Sequence, residues 1–150
     1  MARITKSTAV VILTIIGIAL TSTTFASLST NRSFNSAGGI NVSAGLGVYS
    51  DSSCSTNLTT INWGNIAVGG NISQTIYVKN IGSGTSLALN MSTSNWNPTT
   101  ARGNMTISWN QEGTRLLPGQ SIPAIITLKV SPTIIDITNF NVQITIAGTQ

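Results

Sequence analysis

The chain has 150 residues, of which 41% are apolar and only 7% are charged. This length is enough for one domain with a buried core, and the charged fraction is far below the usual quarter or so. Part of the formal net charge of +4 comes from Arg3 and Lys6 near the N-terminus, and the other basic residues are scattered. The sequence has no basic stripe that could follow a phosphate backbone, which excludes nucleic-acid binding.

Residues 1–26 have the layout of a secretory signal peptide. Arg3 and Lys6 precede a compact apolar run, Ala9–Leu20, and small residues end the segment at Ala26, where we expect cleavage. The apolar run is shorter than the roughly 20 residues that span a bilayer, so a membrane anchor through residues 9–20 is the alternative. Either reading predicts export to the cell surface or beyond.

A polar arm over residues 27–39 is predicted to link this segment to a β-sandwich domain over residues 40–150. The domain begins with strict alternation of apolar residues, which predicts one half-buried strand over residues 40–49. The apolar positions are Ile40, Val42, Ala44, Leu46 and Val48.

The stretch Thr60–Gly82 predicts a strand, a turn and a second strand. Ile61 and Trp63 are two residues apart and therefore share one face of a short strand. Gly64 and the pair Gly69-Gly70 then mark turns, because glycine accepts the positive φ that tight turns require.

Alternation with a period of two continues to the C-terminus, and no helical periodicity is present after residue 20. The sequence therefore predicts an all-β fold, an antiparallel immunoglobulin-like or jelly-roll sandwich of seven or eight strands after an N-terminal signal helix. The expected strands are 40–49, 59–63, 71–80, 86–92, 104–109, 121–130, 134–137 and 139–147. The expected core includes Trp63, Ile76, Val78, Ile126, Leu128, Val142 and Ile144.

The residues from Trp63 to Gly82 also carry a family resemblance. Trp63-Gly64 opens a glycine-marked turn, and the following strand ends in Val78-Lys79-Asn80-Ile81-Gly82. This arrangement resembles immunoglobulin-like modules of surface and scaffold proteins, in which a "G-x-v-x-x-G" turn leads into a strand ending "l-x-N-x-G". The resemblance implies a fold rather than an activity.

The sequence contains few residues that could support catalysis, and we expect no enzyme activity, no catalytic residues and no cofactor. The chain has no histidine, and its three carboxylates, Asp51, Glu112 and Asp136, are far apart in sequence. Lys79 and Lys129 lie at solvent-facing positions of predicted strands, which argues against an activated lysine.

Asp51 is the one candidate for a calcium ligand, because serines surround it. An Asx-type turn is the favoured interpretation, so we expect no metal site. Cys54 is the only cysteine and cannot form an internal disulfide. It is interpreted as a small, partly buried residue, with an intermolecular bridge as the alternative.

Six N-x-S/T sequons predict N-glycosylation sites near loops or strand ends, provided that the host glycosylates its exported proteins. They begin at Asn31, Asn41, Asn57, Asn71, Asn90 and Asn104.

Among the three tryptophans, Trp96 is the candidate contact residue for a glycan or a partner protein. It lies in a predicted loop among Asn and Pro residues, whereas Trp63 and Trp109 share parity with apolar neighbours and are expected in the core.

The N-terminal layout is similar to that of TasA/camelysin-type biofilm fibre proteins and of related archaeal bundling pili. The matching features are the signal ending at Ala26, the polar segment with Phe34, the pair Ala37-Gly38 and the alternating strand that follows. The resemblance implies subunits that polymerise by donating an N-terminal strand, here residues 40–48, to the next subunit. The chain has no histidine, so the metalloprotease activity attached to that family is not implied.

These observations predict a secreted or surface-tethered structural or adhesive protein, which self-associates or binds envelope proteins. The low charge and the many Ser, Thr and Asn residues are similar to those of archaeal extracellular filament proteins. The alternative is a non-assembling extracellular module that binds a glycan or a partner protein.

Overall fold

A computed structural model describes the chain from residue 33 to residue 150, with side chains from Ser36 onward. The predicted signal segment and residues 27–32 of the predicted arm lie outside the described residues. The described part is nearly all β, with one short helical turn, α1 (Ala101–Asn104). Its strands are β1 (Ser33–Val42), β2 (Leu46–Tyr49), β3 (Thr60–Ala67), β4 (Asn71–Asn80), β5 (Leu87–Asn97), β6 (Met105–Trp109), β7 (Arg115–Leu116), β8 (Ser121–Val130) and β9 (Asn139–Thr149).

The strands form two sheets, which confirms the all-β class. The five-stranded sheet has the order β3-β1-β9-β5-β7, and the four-stranded sheet has the order β2-β4-β8-β6. All strand pairs are antiparallel except one, since β1 runs parallel to β9.

Alternating side chains build one core. Trp63, Ile76 and Val142 of the expected core are at least 97% buried, and Val78, Ile126, Leu128 and Ile144 are completely buried. The same parity places Ser73 of β4 and Thr127 of β8 on the outside, where their hydroxyls hydrogen-bond at 2.8 Å. Periodicity of two therefore sets which face of each strand is buried.

Asn80 is a fully buried polar residue that fixes the end of β4. Its Nδ2 donates to the carbonyl oxygens of Thr85 (2.9 Å) and Leu116 (3.0 Å), and its Oδ1 accepts from the Gly82 amide (3.0 Å). Because each of its amide groups has a partner, burial costs little. The Asn and Gly of the "l-x-N-x-G" motif are thus explained by one hydrogen-bonded turn.

Several expected boundaries are wrong. The expected strand over residues 40–49 is divided between β1 and β2, which lie in different sheets, because Gly45 turns the chain at a φ of +88°. Gly64 does not end β3, since its φ of +64° lies within the strand at an irregular step in the pairing with β1. Residues 134–137 form no strand. Ile134 and Ile137 lie in a loop, and their side chains are buried.

Other differences add structure where loops were expected. β1 begins at Ser33, so residues 33–39 of the predicted linker are strand. β5 continues to Asn97, and α1 follows within the segment 94–103 that was expected to be irregular. No helix in the described part of the chain is long and apolar enough to cross a membrane.

The burial pattern of β8 predicts how substitutions there affect stability. Ile126→Ala removes a completely buried side chain and should lower the free energy of unfolding by about 2–5 kcal/mol. Lys129→Ala, an exposed position of the same strand, should change it by less than about 0.5 kcal/mol. Urea unfolding of both variants measures the difference, and similar losses would show that the inward face is misassigned.

Candidate functional site

The candidate site is the position of β1 between β3 and β9 in the five-stranded sheet, which we call the seat of β1. β1 pairs antiparallel with β3, from Ser33 opposite Ala67 to Gly39 opposite Thr60. On its other side it pairs parallel with β9, from Asn35 to Val42. The first strand of the described chain is therefore the link that joins β3 to the rest of its sheet.

The middle of the inward face of β1 carries two small residues, Ser36 and Gly38. Ser36 and Gly38 are buried and Ile40 is half-buried, while Ala37 and Gly39 face outward. Trp63 of β3, only 1% exposed, covers Gly38. A Cβ at Gly38 would lie 3.4 Å from Trp63 Nε1 and 3.3 Å from Ile144 Cδ1, closer than most Cβ contacts. The seat thus fits a strand without a side chain at this point.

Two buried polar atoms in this region have no hydrogen-bond partner among the described residues. They are Ser36 Oγ on β1 and Trp63 Nε1 on β3. A buried polar group without a partner costs about 1–3 kcal/mol. Backbone pairing, the Trp63 contact and the packing of Ile40 against the core hold β1 in its seat, whereas the Ser36 hydroxyl has no hydrogen-bond partner there.

The outer surface over β1 is a shallow groove of 310 Å³. The groove is lined by Ser36, Ala37, Thr60, Asn62, Asn139, Phe140 and Asn141. It offers amides and hydroxyls but no charge.

The residues expected to form the donor strand do not share one strand. Ile40 and Val42 end β1, and Val42 is 38% exposed. Ala44 lies in the turn, and Leu46 and Val48 are buried in β2 of the other sheet. The alternation of apolar residues from 40 to 48 continues across a turn between the two sheets. These residues therefore cannot act as a single strand in this structure.

The sequons differ in their environments. Asn41, Asn57 and Asn71 are exposed. Asn90 is exposed too, but its amide nitrogen donates to Glu112. Asn104 is half-buried, and its Nδ2 donates to the Thr100 carbonyl oxygen at 3.0 Å. The remaining site, at Asn31, lies outside the described residues.

Trp96 lies near the end of β5 rather than in the predicted loop, and it is only 8% exposed. Its ring stacks with that of Phe140, with centroids 6.0 Å apart and planes at 21°. Its Nε1 donates to Thr93 Oγ1 at 3.3 Å. The tryptophan forms the wall of a cleft rather than an exposed platform.

Asp51 organises its own loop, as expected for an Asx-type turn. Its carboxylate accepts hydrogen bonds from the hydroxyl of Ser53 and from the backbone amides of Ser55 (3.1 Å) and Thr56 (2.7 Å). The Ser53 hydroxyl, followed by these amides, holds the pKa of Asp51 well below its ordinary range. No group of three or more His, Cys, Asp or Glu residues that could hold a metal is present within residues 33–150.

Glu112 gathers a second set of donors at the edge of β5. Trp109 Nε1 donates to it at 2.8 Å and the Met91 amide at 3.1 Å. The Trp109 hydrogen bond is the main reason that the pKa of Glu112 is lowered. Trp109, expected in the core, is therefore half-buried with its polar edge at the surface.

Neither β1 nor Arg102, which lines a cleft with Trp96, was predicted from the sequence as part of a site. The segment SFNSAGG has one large apolar residue, Phe34, and therefore no apolar stripe, so hydrophobic periodicity carries no signal there. Gly38 next to a small residue was the one available hint, since glycine in a strand often marks a close approach.

The lowered pKa of Asp51 predicts an acid-dependent contribution to stability. Since the pKa is lower in the folded than in the unfolded chain, the contribution is complete well above the unfolded value of about 3.9 and is lost as the pH falls towards the folded value. Asp51→Asn should thus lower the melting temperature at pH 7, and the gap to the parent should narrow progressively below about pH 4. Melting curves from pH 7 to pH 2 measure this, with Ser52→Ala as a control that cannot titrate. A gap that is constant over the whole range would contradict the assignment.

Comparison with known proteins leaves this site to be interpreted on its own geometry. No family model matches the chain, and no curated protein matches it significantly.

Proposed function

We propose that the protein is an exported structural subunit, which assembles into fibres by exchanging β1 between neighbouring copies. The observation that carries the proposal is the position of β1 in the interior of a sheet, between β3 and β9. A strand in such a seat uses main-chain hydrogen bonds on both sides. Strand addition uses the same bonds, so the seat can accept β1 from a second copy.

The connection from β1 to β2 supports this proposal. Only Ser43, Ala44 and Gly45 join two strands that lie in different sheets, and Gly45 has a φ of +88°. Short hinge loops favour exchange of the element that they hold. If the signal is cleaved after Ala26, only residues 27–32 precede β1, and the strand can leave its seat without threading.

The energetics of the seat also favour exchange over an open subunit. Withdrawal of β1 would uncover Trp63 and Ile144 and would leave β3 without its partner strand. An open seat with two unpaired strand edges is unfavourable. The closed monomer and the exchanged fibre satisfy the same contacts within the sheet, so contacts between copies decide between them.

Surface composition is compatible with close packing of copies. The strands β1, β3, β5 and β9 contain no Asp, Glu, Lys or Arg. Since the outer face of these strands carries neutral Asn, Thr, Ser and Gln side chains, two copies approach without like-charge repulsion. A head-to-tail exchange that does not close into a ring gives an open filament.

The proposal has four further parts that do not rest on the position of β1. We include in it an extracellular location, an immunoglobulin-like identity of the sandwich, an archaeal source, and N-glycosylation at the exposed Asn41, Asn57 and Asn71. The second candidate is a non-assembling module, for which the cleft beside Trp96 is the supporting observation.

An engineered disulfide tests the exchange. Gly39 of β1 lies opposite Thr60 of β3, and a Cβ at Gly39 meets nothing within 4 Å. Directly paired residues have Cα atoms about 4.5–5.5 Å apart, which suits a disulfide. In a Cys54→Ser background, Gly39→Cys with Thr60→Cys should join different copies in the fibre. Oxidised fibres should therefore run as a ladder of covalent multimers on a denaturing gel without reductant.

A matched pair in strands that do not exchange controls for random cross-linking. Ser73→Cys with Thr127→Cys joins β4 to β8, whose side-chain oxygens are 2.8 Å apart, and should give bonds within single chains only. Two results would contradict the proposal: a mature protein that stays monomeric at high concentration, or fibres whose bond between positions 39 and 60 lies within single chains.

A further inference from the structure

A second site lies at the end of the five-stranded sheet, where β5 bulges. Ser94 pairs with Gln143 and Asn97 with Asn141, so β5 has one more residue than β9 over this step. Asn95 takes up the difference in the left-handed region, with a φ of +52°. Bulges and left-handed residues other than glycine are concentrated at functional sites, where they redirect side chains.

The bulge opens a cleft of 420 Å³ towards α1, within the range of about 300–1,000 Å³ that is common for small-molecule sites. Apart from the buried Trp96, its lining is polar. The lining residues are Thr93, Ser94, Asn95, Trp96, Thr99 and Arg102.

Arg102 is the one charged residue in this lining, and it is exposed. Asp51 and Glu112, two of the three acidic residues between residues 33 and 150, accept hydrogen bonds in their own loops. The residues that line the cleft include Arg102 but no carboxylate. Its planar set of donors matches a carboxylate with two parallel hydrogen bonds.

The neutral polar side chains of the cleft are suited to hydrogen bonding with the hydroxyls of a ligand. Asn95 Nδ2 donates to Gln143 Oε1 at 2.7 Å, which fixes the amide and leaves Oδ1 as an acceptor. Ser94 and Thr99 are exposed and present hydroxyls that both donate and accept. A polyanion such as a nucleic acid would need several cations, whereas this cleft has one.

We propose that the cleft binds a carboxylate-bearing saccharide, with Arg102 pairing with the carboxylate of a uronic acid unit. Asn95 Oδ1 and the hydroxyls of Ser94 and Thr99 meet the sugar hydroxyls, and Trp96 forms the wall against which the ring rests. The proposal does not depend on fibre assembly, because every one of these residues lies outside β1. An acidic polysaccharide is the class of polymer that would present such units.

Titration calorimetry with the mature protein tests the proposal. The probes are trimers of galacturonate and of mannuronate, each compared with its methyl ester. At least one acid trimer should bind, and its ester should bind at least tenfold more weakly. Arg102→Gln should weaken binding of the acid at least tenfold, and Arg102→Lys should give an intermediate loss because the charge is kept and the planar donor set is lost.

Arg115→Gln is the matched control. It removes the same charge from an exposed arginine on β7, whose guanidinium donates to Ser86 Oγ at 3.1 Å and does not line the cleft. Its binding should equal that of the parent. Binding of neither acid trimer, equal binding of acid and ester, or an equal loss in Arg115→Gln and Arg102→Gln would overturn the proposal. Thermal melts of each variant confirm that the fold is intact.

Discussion

The contact between Trp63 and Gly38 is the constraint on which the five-stranded sheet depends. The indole packs against the backbone of β1 at Gly38, where an added Cβ would lie 3.4 Å from Trp63 Nε1 and 3.3 Å from Ile144 Cδ1. Without β1, the strand that carries Trp63 has no neighbour in its sheet. One close approach thus connects local sequence, sheet order and the proposed exchange, since whichever copy supplies β1 also supplies the glycine on which Trp63 packs.

The sequence predicted those parts of the fold that large alternating side chains determine. The bounds of β4, β8 and β9 were predicted almost to the residue, because large apolar side chains alternate along each of these strands. Ile76, Leu128 and Ile144 belong to these alternating sets, and all three are buried. The Asn80 turn was visible as a motif. The first seven residues of β1 could not be found in this way, because they contain one large apolar residue, and main-chain hydrogen bonds leave no apolar pattern.

The candidate sites were less predictable, because they depend on how distant segments meet. Trp96 was identified as a contact residue, but its burial follows from a one-residue bulge and from stacking on Phe140, neither of which local sequence specifies. Arg102 becomes a candidate binding residue only in the folded chain, where α1 places it beside that bulge. The stripe from Ile40 to Val48 shows the opposite case, in which a clear pattern spans a glycine turn and belongs to two sheets.

Electron microscopy of the mature protein, with and without a synthetic peptide of residues 33–42, tests the central claim most directly. The peptide carries the inward Ser36, Gly38 and Ile40 of β1 and should occupy the seat at the growing end of a fibre. The account predicts long filaments in the protein alone, and short filaments or none with excess peptide. A peptide of the same composition in scrambled order should have no effect. Filaments of equal length with either peptide would contradict the claim that exchange of β1 builds them.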